Sequence, residues 1–314
     1  MFENYKATKQ DFEAIEEGIK TVWHPKLNFV FKNKKFIKKV IIVSYDCENL
    51  YLWSQTKLPK FTPIKCSLKQ YFAYKIPHQL KISDDYQLGW RAGLQPQKLT
   101  RFLLLKLKTD EKSTPFISGG LLAPFITLQK KKKSRKNNPY TTRESYLATI
   151  VHEFGHAYWH QHKLWYYSNK KENLLLLRTA KRLYCETGEL SRSEKEKLAK
   201  IPLRFTSPHG IKGISELFAC CADYQASIIF WPTHKRNCDI FAVNIIEYLL
   251  KLEEARNLDQ EDSVLEPSRY PHDFAFVFGK IIMTLYPKTW PQFLIAPTPD
   301  LTVQAVSALG KGNQ

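Results

Sequence analysis

The chain has 314 residues, 43% hydrophobic and 13% aromatic, enough apolar material for one large domain or two ordinary ones, which excludes an intrinsically disordered chain. Lysine and arginine outnumber aspartate and glutamate 48 to 30, a formal net charge of +18; such a balance either attracts an anionic partner (nucleic acid, a membrane surface or an acidic protein) or is a set of solvated lysines. No apolar run reaches the ~18–20 residues that span a bilayer, the first residues carry no export signal, and none of the cysteines (Cys47, Cys66, Cys185, Cys220, Cys221, Cys238) stands in a CxxC pair; a soluble, cytoplasmic protein with free thiols and no transmembrane segment is expected.

Residues 8–23 are expected to form a helix, because Phe12, Ile15, Ile19 and Val22 recur at helical spacing and His24-Pro25 stops it. Leu27–Phe31 and Phe36–Tyr45 are expected strands, the second rich in β-branched residues. Residues 46–98 are aromatic and interrupted by Pro59, Pro63 and Pro77, a pattern for short strands and turns. Arg101–Lys108 is a further strand candidate. Phe116–Leu128 reads as one or two strands broken by Gly119-Gly120 and Pro124, the proline marking an edge. The basic run Lys130–Lys133 with Arg135 and Lys136 is either a nucleic-acid patch or a solvated loop.

Thr141-Thr142-Arg143-Glu144 fits a capping box. The helix it opens carries Tyr146, Leu147, Ile150, Val151, Phe154 and Ala157, apolar over most of its circumference and therefore buried. Pro208-His209-Gly210 begins a loop. Further helices are expected over 172–186, 191–200, 213–230, 235–256 and 272–286, with a loosely held tail after Pro297. The expected division is a β-rich part over 1–140, a helical metal-binding part over 141–290 (together one catalytic domain) and a C-terminal extension over 291–314.

Within the buried helix lies His152-Glu153-Phe154-Gly155-His156, the H-E-x-x-H pattern. Residues four apart on a helix differ by about 40° around the axis and 6 Å along it. His152 and His156 therefore share a face and can grip one zinc ion, while Glu153 serves as general base toward water. A catalytic zinc takes a third protein ligand. His160 is in phase but lies ~12 Å along the helix from His152. His162 has the metzincin spacing, although Trp159 occupies the position where that pattern turns on glycine. Glu216 sits in an apolar run, Leu217–Cys221, where an unpaired charge is costly; the start of a solvated helix is its other reading. Asp223, two turns on, is placed to orient a liganding histidine.

HEFGH together with Ser215-Glu216-Leu217-Phe218-Ala219 resembles the gluzincin group of zincin metallopeptidases, over two helices of the chain. The resemblance implies an α+β, zincin-like fold: a small N-terminal mixed sheet, then a mainly helical part carrying the H-E-x-x-H helix. It implies zinc held by His152, His156 and Glu216, with Glu153 as base. It also implies an edge strand near Phe125–Leu128 that takes peptide by β-addition, and a later histidine or tyrosine that stabilises the oxyanion. His272 and Tyr270 are the first choices for that role, with His209 and Tyr224 behind them. The expected function is zinc-dependent hydrolysis of peptide bonds in a peptide or protein substrate. The alternatives are a basic nucleic-acid-associated protein with a zincin-like domain, and a non-catalytic zincin interaction module.

Overall fold

In the computed structural model, the described residues are 5–32, 34–35, 37–80, 96–110, 113–118, 121–122, 142–159, 170–186, 188–199, 210–258 and 271–295. The architecture is mixed α+β, a five-stranded mixed sheet with helices. The chain forms two compact units, Met1–Tyr158 and Trp159–Gln314. No helix among the described residues is long and apolar enough to cross a membrane. All six cysteines are free.

The first unit opens with helix α1 (Lys9–Val22). Its start is tied by Asp11, whose carboxylate accepts the Thr8 N–H at 2.8 Å and the Thr8 hydroxyl at 2.6 Å. Strands β1 (Ile41–Tyr45), β2 (Asn49–Ser54), β3 (Pro63–Ile64), β4 (Phe72–Pro77) and β5 (Phe116–Ser118) form a sheet in the order β3-β4-β2-β1-β5. All its pairings are antiparallel except β1 with β5. One face (Ile41, Val43, Tyr45, Leu50, Leu52, Tyr74, Ile76) packs with Leu99 and Leu103 of helix α2 (Pro96–Leu107). On the other face Phe12 of α1 meets Tyr51 and Trp53 at ring distances of 4.9 and 5.8 Å. Helices on both faces explain why every position of β1 and β2 is buried and why these strands lack an apolar–polar alternation.

The turn between β1 and β2 is organised by Asp46. Its carboxylate accepts the N–H groups of Ala7, Glu48 and Asn49 and the Tyr51 hydroxyl, the last at 2.6 Å. Burial opposes the charge, but these hydrogen bonds outweigh it and hold the carboxyl below its usual range. Asp46 therefore stabilises the fold fully above the unfolded-chain value of about 3.9, and that contribution fades as pH falls through the lower folded value. Asp46→Asn should cost about 1–3 kcal/mol near neutrality. Its denaturation midpoint should approach that of the unaltered chain below about pH 4, a trend read by denaturant melts across pH.

Several elements differ from the sequence-based expectation. Leu27–Phe31 is not a strand. Pro25–Leu27 is a 3-10 turn, and the N–H groups of Val30 and Phe31 both reach the Leu27 carbonyl at 3.1 Å. Pro25 presets φ, the His24 ring nitrogen caps the turn at Lys26, and Leu27, Val30 and Phe31 follow helical spacing. Of the expected strand Phe36–Tyr45, the described residues 37–45 form a strand only from Ile41, after a 3-10 turn at Ile37–Lys39. Arg101–Lys108 lies within helix α2 and its end, not a strand. Leu99 and Leu103, four apart, turn inward while Leu105 is 71% exposed; periodicity cannot separate a continuous apolar run of this kind from a strand. Beyond β5, the expected strand at Phe125–Leu128 and the basic run at 130–136 lie outside the described residues.

Helix α3 (Arg143–Trp159) carries H-E-x-x-H. Its cap is one residue later than expected: the Ser145 N–H donates to Thr142 Oγ1 at 3.1 Å, and the Thr142 N–H to Ser145 Oγ at 3.2 Å. The reciprocal logic of a capping box is kept with serine in the acid's place.

The second unit is helical among its described residues: α4 (Lys170–Cys185), α5 (Arg192–Ala199), α6 (Gly210–Phe230), α7 (Pro232–Leu258), α8 (Pro271–Leu285) and α9 (Trp290–Ile295). Helix α6 packs on α8, and α4 on α7. Small residues allow the first of these contacts. The Cys221 thiol donates to the Gly279 carbonyl at 3.7 Å, and a methyl group at Gly279 would stand 3.3 Å from that sulfur. Phe218 of α6 and Trp290 of α9, both fully buried, pack with rings 5.5 Å apart.

Candidate metal centre

Helix α3 is anchored within the first unit by contacts along its length. Arg143 pairs with Glu17 of α1 at 2.8 Å. Ile150 lies against Gly18 of α1, so close that a methyl group there would sit 2.5 Å from its Cδ1 and 2.9 Å from its Cβ. Tyr158 meets Phe31 edge-on at 5.5 Å. From Ser145 to Trp159 every residue is buried except Thr149, His152, Glu153 and His156, which are half-buried. These four fall at the i, i+3, i+4 and i+7 positions of one stripe. The water-accessible line along an otherwise apolar helix thus carries the residues with ligand and base chemistry.

On that stripe the Nε2 atoms of His152 and His156 stand 3.0 Å apart, with ring planes crossing at 81° and centroids 4.7 Å apart. A carboxylate oxygen of Glu153 and one ring nitrogen from each histidine lie within 4.8 Å of one another. Two zinc–imidazole bonds of about 2.0–2.1 Å can share one ion when the nitrogens are closer than about 4 Å. The pair therefore fits a zinc ion, and imidazole with carboxylate is a donor set suited to it.

The other predicted site residues belong to the second unit. Glu216 is on α6 and only 3% exposed, among Ser215, Leu217, Phe218 and Ala219, which are also buried. Cys220 (buried) and Asp223 (half-buried) follow it at i+4 and i+7, so one face of α6 presents three ligand-type side chains. Reading Cys220 as apolar filler overlooked that stripe; the spacing of acid, thiol and acid was its signal. Tyr224 is not available as an oxyanion donor, because its hydroxyl donates to Asp239 Oδ1 at 2.5 Å. Lys235 also pairs with Asp239. Burial, reinforced by Asp239, pushes the Tyr224 phenol well above its ordinary value. His272 is the second residue of α8, and its side chain lies outside what is described. Tyr270, His209, His160 and His162 also lie outside the described residues.

No protein-family model, no curated protein and no solved structure matches this chain significantly.

Proposed function

We propose that the protein is a zinc-dependent metallopeptidase of zincin type. The observation that carries this reading is the 3.0 Å approach of the His152 and His156 Nε2 atoms beside the Glu153 carboxylate, on the one accessible stripe of a buried helix. In this reading His152 and His156 hold the ion, and Glu216 completes the set. The burial of the Glu216 carboxylate supports its role, since a buried acid is otherwise costly. Zinc at such a site supplies Lewis acidity, which acidifies water and polarises a peptide carbonyl. Glu153 takes the proton of the attacking water on its carboxylate and delivers it to the leaving amine. Tyr270 and His272 are proposed to donate a hydrogen bond to the developing oxyanion.

Metal content decides the third ligand. Glu216→Ala should lower bound zinc well below one ion per chain after dialysis, while Cys220→Ser and Asp223→Asn should weaken zinc affinity by no more than about ten- to a hundredfold, the range expected for supporting groups. Full zinc in Glu216→Ala, with loss in Asp223→Asn or Cys220→Ser, would transfer the assignment along the same face of α6.

A further inference from the structure

Between Glu17 and Asp46 the chain carries seven lysines and no acidic residue. Two 3-10 turns, Pro25–Leu27 and Ile37–Lys39, bracket this segment. The Lys34 ammonium donates to the Val22 carbonyl at 3.4 Å and lies 5.3 Å from the centre of the Trp23 ring, which brings the segment back to the end of α1. Trp23 is itself held by its N–H, which donates to the Tyr71 hydroxyl at 2.8 Å.

The side chains separate by type. Leu27, Val30, Phe31, Ile37 and Val40 are all fully buried. Lys26, Lys32, Lys35, Lys38 and Lys39 are all exposed. Within 25–40 the only other exposed residues described are Pro25 and Asn28. Five exposed cations thus stand within residues 26–39, and among the described residues of 25–40 no apolar side chain other than Pro25 is exposed. A surface that binds lipid couples its cations to exposed apolar side chains. A surface that follows a phosphate backbone needs only the cations.

We propose that the exposed lysines of this segment of the first unit bind the phosphate backbone of nucleic acid without reading base sequence. The site is separate from H-E-x-x-H and does not depend on peptidase activity. Both are fastened to one scaffold, because Phe31 of the lysine segment packs on Tyr158, two residues after His156.

The test uses the full chain and a fluorescein-labelled duplex DNA of arbitrary sequence, with anisotropy followed from about 50 to 200 mM salt. Each neutralised lysine should lower the slope of log affinity against log salt by about one. Replacing Lys26, Lys32, Lys35, Lys38 and Lys39 with glutamine should therefore lower it by about four to five and weaken low-salt binding more than about tenfold. The milder pair Lys38→Gln and Lys39→Gln should lower it by about two, and arginine at all five positions should preserve binding. Circular dichroism and zinc content verify each fold. The proposal is overturned if the glutamine variants bind DNA like the unaltered chain. It is also overturned if the loss follows neutralisation of Lys130–Lys133 instead, or if the lysines govern binding to phosphatidylserine vesicles while DNA is not bound.

Discussion

Glu153→Gln should bind zinc at the stoichiometry of the unaltered chain and lose peptide hydrolysis by at least about a hundredfold, the lower end of what a positioned general base contributes. Glutamine keeps the size and the hydrogen-bonding outline of the side chain but cannot accept the proton. The half-buried position of Glu153 on the accessible stripe means that the exchange disturbs no packed core. His156→Ala should behave differently: it removes one of two nitrogens 3.0 Å apart, so metal and activity should fall together. Metal-to-protein ratios after dialysis, beside hydrolysis of a quenched fluorescent casein, separate the two outcomes. A Glu153→Gln protein that cleaves at close to the normal rate would remove the carboxylate from the mechanism. Unaltered protein that retains no zinc would remove the metal centre.

Gly18→Val should weaken the first unit by about 1–3 kcal/mol, the usual cost of forcing extra atoms into a packed contact. Two effects oppose each other. Replacing a glycine inside α1 removes its backbone entropy penalty, about 1 kcal/mol relative to alanine, although β-branching returns part of that gain. Against it, even the first added carbon would stand 2.5 Å from Ile150 Cδ1 and 2.9 Å from Ile150 Cβ. The Cβ is fixed to the backbone of α3 and cannot swing aside, so the clash prevails and the helices must separate. Ile150 precedes His152 by two residues, so the displacement should also weaken zinc binding. The double variant Gly18→Val with Ile150→Ala should recover part of both losses. Denaturant melts and zinc competition titrations read the two effects; a Gly18→Val protein as stable as the original would show that α1 and α3 do not meet this closely.

Local pattern made much of the chain legible. The spacing of Ile15, Ile19 and Val22 marked α1, and all three are buried. The helices expected over 172–186, 191–200, 213–230, 235–256 and 272–286 correspond to α4 to α8. The H-E-x-x-H pair was legible because both histidines sit on one helix, where residue spacing alone dictates their shared face. Where expectations failed, information from outside the segment was needed. The run around Arg101–Lys108 became a helix because Leu99 and Leu103 find the sheet cluster to pack against. The lysine segment at 26–39 was passed over in favour of the run at 130–136, because charge counting does not reveal that Leu27, Val30, Phe31 and Ile37 are turned inward while five lysines stay exposed.

The amino-acid sequence by itself determined the helical periods, the turn at His24-Pro25 and the placing of two imidazoles and a carboxylate on one helix. The tertiary structure alone decided the parallel pairing of β1 with β5, the burial of both faces of β1 and β2, and the contact between Gly18 and Ile150. Helix geometry repeats every few residues and is written into neighbours along the chain. Strand partners and close helix contacts join residues far apart in sequence, and their identity depends on which surfaces meet when the core excludes water.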